Sequence, residues 1–223
     1  MPINLSVGDG DFTPFLKYNA KAGRFYVKPE GATEEVEIVN PLLAFDMAHI
    51  KTGWIFYAEG TGPEKIWDPS PTQMAPKPRD PRKFKRGFEV MVYGNGIIPR
   101  STQKIGLREL SSTATNVIAA IVRMYAEYEE GASANPGSVP VFTCDGVKPV
   151  NGAYGVNYEP LFTLKGWVPR SKVPAFDENM TPAQTNGSGQ HSELNPPPQD
   201  DFGITPAARP GSMKDQITDD IPF

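Results

Sequence analysis

Proline and glycine interrupt this sequence at short intervals and so limit the length of any regular element. Of the 223 residues, 24 are proline and 21 are glycine. Proline breaks helices because it lacks a backbone N–H, and glycine favours turns because it tolerates positive φ angles. We therefore exclude a helical bundle and expect short strands joined by long loops.

Alternating apolar and polar residues predict several strands before residue 173. The predicted strands cover residues 23–28, 34–39, 53–59, 87–93, 139–143 and 158–168. A single helix is predicted over residues 111–130, where apolar side chains recur every three or four positions. A proline-rich stretch, residues 60–86, reads as a long basic loop insertion. This order indicates a mainly β fold with one helix, similar to the five-stranded oligonucleotide-binding barrel, or OB-fold.

The charge distribution divides the chain in two. Residues 173–223 contain eight acidic and two basic side chains and eight prolines, whereas residues 1–172 contain 20 basic and 18 acidic side chains. The acidic stretch has no periodic apolar pattern, so it cannot offset the entropy lost on ordering. We expect a folded domain over residues 1–172 and a disordered acidic tail over residues 173–223.

Two predicted strands combine an apolar face with an aromatic and basic face. Alternate residues of a strand face opposite sides, so Arg24, Tyr26 and Lys28 share one face of the first strand. By the same alternation Lys165 and Trp167 share a face of the last strand. Cations suit phosphates and aromatic rings suit bases, so these faces favour single-stranded nucleic acid. A solvated face with incidental rings is the alternative.

The insertion carries a second basic feature. Its cationic side chains are Lys77, Arg79, Arg82, Lys83, Lys85 and Arg86, with Phe84 among them, and Trp54 and Trp67 precede them in the chain. Such a cluster would bind polyphosphate with a salt-sensitive affinity. A solvated loop or a run resembling a nuclear-localisation signal is the alternative. We interpret all these residues, with the two strand faces, as one DNA-binding trough.

The last five residues of the sequence form a distinct motif. Asp219, Asp220, Ile221, Pro222 and Phe223 place two acidic side chains before two apolar ones. A phenyl ring can fill a small apolar pocket while the aspartates contact a basic rim around it. This motif predicts a docking peptide for partner proteins.

The motif resembles the C-terminal tip of bacterial single-stranded DNA-binding proteins, in which a disordered linker leads to an acidic tip that ends in Ile-Pro-Phe. The stretches FLKYNAKAGRFYV and KPRDPRKFKRGFEVMVY are similar to those of phage-encoded single-stranded DNA-binding proteins. The resemblance implies an OB-fold body that protects single-stranded DNA without sequence preference. It also implies that the tip recruits proteins of replication, recombination and repair.

Other chemistry has little material in this sequence. Cys144 is the only cysteine, and His49 and His191 are the only histidines, so we expect no metal site, no cofactor and no enzymatic activity. The sequence contains no apolar run of 18 residues and no secretory signal at its start. We therefore expect no membrane association and a cytoplasmic location, in the host cytoplasm if the protein is phage-encoded.

Three other functions remain open at the level of sequence. The chain could be a recombination mediator that anneals single strands, or a metal-dependent DNA-processing enzyme that carries a recruitment tail. It could also be an adaptor whose barrel binds protein rather than DNA. Strand annealing, metal-dependent cleavage and a failure to bind oligo-dT would respectively distinguish them. The sequence also leaves a homo-oligomer open.

Overall fold

The computed structural model describes residues 13–57, 62–70, 73–79, 82–152, 155–173 and 176. These residues form ten strands and one α-helix, which confirms the prediction of a mainly β fold with one helix. The strands are β1 (Leu16–Asn19), β2 (Arg24–Val27), β3 (Val36–Ile38), β4 (Leu42–Phe45), β5 (Lys51–Phe56), β6 (Glu64–Trp67), β7 (Lys85–Ile97), β8 (Lys104–Ser112), β9 (Ser138–Gly152) and β10 (Gly155–Pro169). The helix, α1, spans Thr115–Ala132.

The strands form two antiparallel sheets. The small sheet has the order β1-β2-β3, and the large sheet has the order β10-β9-β4-β7-β5-β6, with β8 paired to β7 as well. Hydrogen bonds among the described strands form two sheets and do not close either one into a barrel, so the predicted five-stranded barrel is not confirmed. The sequence prediction missed β1, β4, β6 and β8, and it assigned β6 to the insertion. Three of these four strands have only four residues, which is too short for a clear alternation.

The main hydrophobic core lies where the small sheet and α1 pack against one face of the large sheet. Phe45 of β4 and Phe142 of β9 meet edge to face, with ring centroids 5.6 Å apart. Val117 and Met124, on the inner side of α1, are buried in this core. The helix begins four residues later than predicted because Ser111 and Ser112 extend β8 and pair with β7.

The alternation predicted for the first strand is confirmed in β2. Phe25 and Val27 are buried in the core, whereas Arg24 is exposed and Tyr26 is half-buried. The same register aligns Tyr26 directly with Lys17 of β1. Opposed residues of antiparallel strands share a face, so the outer face of the small sheet carries both cations and an aromatic ring.

A short segment after β10, which we name the strap (residues 170–173 and 176), covers part of the outer face of the large sheet. Val173 and Phe176 are buried there in a second apolar cluster with Ala44 and Val168. This corrects the predicted domain boundary at residue 173, because the folded body reaches at least Phe176. Residues 177–223, which include the predicted docking peptide, lie outside the described residues.

An ion pair fixes the strap to the large sheet. The guanidinium of Arg170 donates two hydrogen bonds to the buried carboxylate of Asp46, at 2.8 and 2.9 Å. Burial would raise the pKa of Asp46, but the hydrogen bonds from Arg170 and His49 outweigh it and lower the pKa. The carboxylate therefore stays ionised at neutral pH and anchors the strap.

Cys144 is buried at the end of the core stretch of β9, and its burial raises the pKa of the thiol. The Sγ atom lies 3.3 Å from the carbonyl oxygen of Gly146.

Within the described part of the chain, no helix has the length and apolar character needed to cross a membrane.

Candidate nucleic-acid interface

A large groove runs between the edge of β1 and the edge of β8, and we name it the β1–β8 groove. The two strands meet at a single bridge between Phe15 and Glu109, where the Glu109 N–H donates to the Pro14 carbonyl at 2.9 Å. The groove has a volume of about 1190 Å³. Small-molecule pockets usually have volumes of about 300–1,000 Å³, so this groove can hold a segment of a polymer.

Aromatic and cationic side chains line the β1–β8 groove. The lining includes the aromatic residues Phe15, Tyr18, Tyr26 and Tyr57, the cations Lys17, Lys28, Lys104 and Arg108, and the carboxylates Glu30 and Glu35. Lys17 is paired with Glu35 at 3.0 Å, so these two charges cancel. Over the lining as a whole, four cations stand against two carboxylates, which gives the groove a net positive charge.

Two of the sequence-predicted residues, Tyr26 and Lys28, lie in this groove. Lys28 is exposed, and no described carboxylate pairs with its ammonium group. Arg24 shares their face but does not line the groove, because its guanidinium is paired with Glu37 of β3 at 2.7 Å. The predicted face of β2 therefore exists, and only part of it borders the groove.

A second aromatic and basic surface lies on the outer face of the large sheet, and we name it the Trp67 patch (Lys51, Lys65, Trp67 and Lys85). The register pairs Gly53 with Trp67 and Ile55 with both Lys65 and Lys85, which sets these side chains on one face. The ammonium groups of Lys51 and Lys65 lie 5.8 and 5.6 Å from the centroid of the Trp67 ring.

Lys65 connects the Trp67 patch to the β1–β8 groove. Its ammonium group is 2.9 Å from a carboxylate oxygen of Glu109, the residue that bridges to Phe15 at the groove, and it also contacts Glu89. Burial would lower the pKa of Lys65, but hydrogen bonds to Glu109 and Glu89 outweigh it and raise the pKa. Lys65 is therefore charged. Because it pairs with Glu109, which bridges to Phe15 of the groove, the Trp67 patch adjoins the β1–β8 groove.

Trp54 lies on the opposite face of the large sheet from Trp67. Trp67 is paired with Gly53, and Trp54 is the next residue along β5, so the two indole rings face opposite sides of the sheet. Trp54 itself is paired with Ile66 and Arg86. The indole N–H of Trp54 donates to the Ala75 carbonyl at 2.9 Å, and Arg86 stacks over its ring at 5.3 Å. Trp54 thus holds the predicted insertion against β5, and the expectation that it joins Trp67 in one trough is wrong.

Two arginines of the basic cluster are engaged within the protein. Arg86 donates two hydrogen bonds to Asp68, at 2.8 and 2.5 Å. The hydrogen bond from Arg86 is the main reason that the pKa of Asp68 lies far below its usual range. Arg82 is paired with Glu64 and stacks over Phe84, which is only 8% exposed. The predicted role of Phe84 as an exposed ring is therefore corrected.

The other cations of the cluster face solvent. Lys77, Arg79, Lys83 and Lys85 are exposed. No described carboxylate is paired with any of the four. Only Lys85 belongs to the Trp67 patch, and none of the four lines the β1–β8 groove. The predicted trough that joins Tyr26, Trp167 and residues 77–86 is therefore wrong as a single surface.

Trp167 is a core residue and does not share a face with Lys165. Its side chain is 2% exposed and packs against Tyr128 of α1, with ring centroids 5.9 Å apart. A Cβ atom at Gly131 would overlap the indole ring, so this glycine makes room for it. The register of β10 shifts between Leu164 and Gly166, which leaves Lys165 outside and paired with Asp145 at 3.0 Å. This bulge reverses the alternation on which the prediction rested.

Metal-binding chemistry has no candidate cluster in the part of the chain that the structure describes. No group of three or more His, Cys, Asp or Glu side chains lies close enough to hold an ion there. In comparison with known proteins, the sequence matches no family model, and it matches neither a curated protein nor a solved structure. The candidate functional residues of the described part are therefore those of the β1–β8 groove and the Trp67 patch.

Sequence analysis missed most of the groove. Phe15, Lys17, Tyr57, Lys104 and Arg108 were not predicted as binding residues, because the groove exists only where β1 meets a strand about 90 positions later in the chain. One signal was present: Lys17 lies on the short strand that precedes the predicted first strand. A hairpin between the two would have placed Lys17 beside Tyr26.

Proposed function

We propose that the β1–β8 groove binds single-stranded DNA without sequence preference. The observation that carries the proposal is the combination, in one polymer-sized groove, of the Tyr26 ring with cations on both bordering strands. Stacking on aromatic rings is tolerant of base identity, and contacts to phosphates contain no sequence information. The protein would then protect single strands, as the resemblance of its sequence to phage-encoded single-stranded DNA-binding proteins suggests.

The Trp67 patch extends the proposed path. A strand that leaves the groove past Tyr57 reaches Lys65 and then the Trp67 ring on the outer face of the large sheet. The patch contains three lysines against two carboxylates, Glu89 and Glu109, so it attracts a polyanion.

The gap between β1 and β8 is the place where the two sheets come closest to forming an OB-like barrel. The β1 and β8 edges approach each other at the Phe15–Glu109 bridge, and the Tyr18 hydroxyl donates to the Tyr158 carbonyl on the other side of the small sheet at 3.0 Å. Extending the β1–β8 bridge into a ladder would join the two sheets. We propose an OB-like body opened along this line, with the nucleic acid seated in the opening.

Replacing Tyr26 by alanine tests the groove directly. We expect the affinity for oligo-dT to fall by about 1–3 kcal/mol, or roughly 5- to 150-fold, because one stacking platform is lost. Fluorescence anisotropy of a labelled oligonucleotide measures the change. Tyr26→Phe is the matched control, since it keeps the ring, and it should bind like the wild type. Equal binding by Tyr26→Ala, with an unchanged melting temperature, would show that Tyr26 does not stack on a base.

The second part of the proposal concerns residues outside the described ranges. We propose that Asp219, Asp220, Ile221, Pro222 and Phe223 dock onto replication, recombination or repair proteins of the host. The support is their sequence, in which apolar side chains follow acidic ones as in the tips of bacterial single-stranded DNA-binding proteins.

Removal of Phe223 tests the docking peptide. We expect binding to host proteins that recognise such tips to be abolished, because the side chain that fills the apolar pocket is gone. The affinity for oligo-dT should stay the same or rise, since Phe223 is not part of the proposed groove and a tethered tip that covers the groove would compete with DNA. Affinity pull-down with a purified tip-recognising protein measures recruitment. Retained recruitment after the deletion would refute the docking role.

A further inference from the structure

The most unusual charge in the β1–β8 groove is the guanidinium of Arg108. Arg108 lies on β8 opposite Val92 of β7, so its side chain points from β8 toward the core side of the large sheet. The residue is only 6% exposed, yet it lines the groove. The floor of the groove therefore contains a cation that is more deeply buried than the lysines around it.

Backbone carbonyls hold this guanidinium in place. Nε donates to the carbonyl of Ile105 at 2.7 Å, and Nη1 donates to the carbonyl of Lys28 at 3.5 Å. The bend back to Ile105 is made possible by Gly106, whose φ of 64° is readily adopted by glycine. Arg108 thus spans from β8 to the end of β2, across the floor of the groove.

The remaining terminal nitrogen of Arg108, Nη2, is accessible to solvent. Nη2 donates no hydrogen bond to the described residues. Among the described residues, every side-chain nitrogen that is sealed from solvent has a hydrogen-bond partner. Nη2 is therefore reached by solvent, and Arg108 lines the groove, so this nitrogen can donate to a ligand.

Arg108 also lacks a counter-charge among the described residues. No carboxylate is paired with it, and burial is the sole cause of the lowering of its pKa. A buried cation that is not paired with an anion is costly, because two carbonyl dipoles replace only part of its hydration. An anion that entered the groove would offset this cost and would gain a charge-assisted hydrogen bond.

We propose that Arg108 binds a phosphate group of the nucleic acid strand and fixes the strand's position along the groove. This inference rests on the proposed function and adds a specific subsite to it. Lys28, whose carbonyl accepts from Arg108, also lines the groove and is exposed, so its ammonium group can contact the same or the adjacent phosphate. Arginine suits this role because its planar fork is held rigid here and remains charged.

The groove favours a phosphate on a nucleic acid over a carboxylate on an acidic peptide. A peptide carboxylate would need no aromatic surface, whereas Phe15, Tyr26 and Tyr57 border the same groove. A single strand presents bases to such rings and phosphates to the floor. Exposed lysines alone would bind any polyanion, so Arg108 is the residue that selects a strand fitted into the groove.

Arg108→Met tests the subsite, with Arg123→Met as the matched control. Arg123 lies on α1, pairs with Glu159 and does not line the groove. We expect Arg108→Met to weaken oligo-dT binding about tenfold at low salt. The slope of log affinity against log salt should also fall by about one phosphate contact. Arg108→Lys should keep most of the slope, since the charge stays, and Arg123→Met should match the wild type.

The outcomes separate the two proposals. If the wild type does not bind oligo-dT, the proposed function fails. If the wild type binds and Arg108→Met is folded with the same affinity and slope, the Arg108 subsite is refuted while the proposed function stands. Equal losses in Arg108→Met and Arg123→Met would also refute the subsite, because the effect would then not depend on the groove.

A measurement on the wild type covers the case in which Arg108→Met does not fold. The side-chain ¹⁵N resonances of Arg108 and Arg123 are followed while inorganic tripolyphosphate and then oligo-dT are added. We expect saturable shifts of the Arg108 signals with both ligands and none for Arg123. Unchanged Arg108 signals in a sample that has bound oligo-dT would overturn the proposal.

Discussion

Replacing Trp167 by alanine should lower the free energy of unfolding by about 3–5 kcal/mol, because a fully buried indole is removed and a cavity remains. The side chain is enclosed by Tyr128 and by the backbone at Gly131, neither of which can fill the space. Urea denaturation measures the loss. Trp67→Ala is the matched control, and it should cost about 1 kcal/mol because Trp67 is only half-buried.

The same pair of variants separates stability from DNA binding. Trp167→Ala, at a temperature where it is folded, should bind oligo-dT as tightly as the wild type. Trp67→Ala should bind more weakly and lose much of the tryptophan quenching. A folded Trp167→Ala protein with near wild-type stability would contradict the core position of this residue. If Trp167→Ala lost DNA affinity without losing stability, Trp167 would belong to the DNA-binding surface rather than to the core.

Raising the salt concentration from 50 to 500 mM should weaken oligo-dT binding by about two to three orders of magnitude. Three to four cations of the groove, among them Lys28, Lys104 and Arg108, would each release counterions from a single strand, with a slope of roughly −0.7 per contact. Isothermal anisotropy titrations over a salt series measure the slope. An affinity that does not change with salt would exclude a groove whose cations bind the phosphates of DNA.

Two lysine variants show which surface causes the salt dependence. Lys28→Gln should reduce the slope, since Lys28 lines the groove. Lys148→Gln, on the exposed part of β9 and outside the groove lining, is the control and should leave the slope unchanged. An equal reduction in both variants would mean that the attraction is spread over the whole protein rather than concentrated in the groove.

The sequence predicted the fold class and the face of β2 because both depend on local patterns. Alternation in GRFYVK is uninterrupted, so Phe25 and Val27 entered the core and Tyr26 stayed outside. The same rule failed in β10, where one extra residue at Lys165 shifts the register and turns Trp167 inward. A bulge of this kind depends on the partner strand, and the sequence of β10 alone does not reveal it.

The basic cluster was overestimated for a similar reason. Arg82 and Arg86 were counted as ligands for phosphate, but Glu64 and Asp68, from the start of the same insertion, pair with them. The acidic partners lie 18 residues earlier in the sequence. A charge count over residues 77–86 alone therefore could not include them. Lys77, Arg79 and Lys83, which lack such partners among the described residues, are the cations for which the count remains valid.

The buried position of Cys144 has a practical consequence for labelling the protein with a dye. Its thiol is the only one in the chain, and burial raises its pKa, so thiol-directed dyes will react with it slowly. Ser111, which differs from cysteine by one atom, borders the groove. Ser111→Cys would accept a fluorophore there without prior removal of the native cysteine, and a change in its emission on addition of oligo-dT would test binding in the groove.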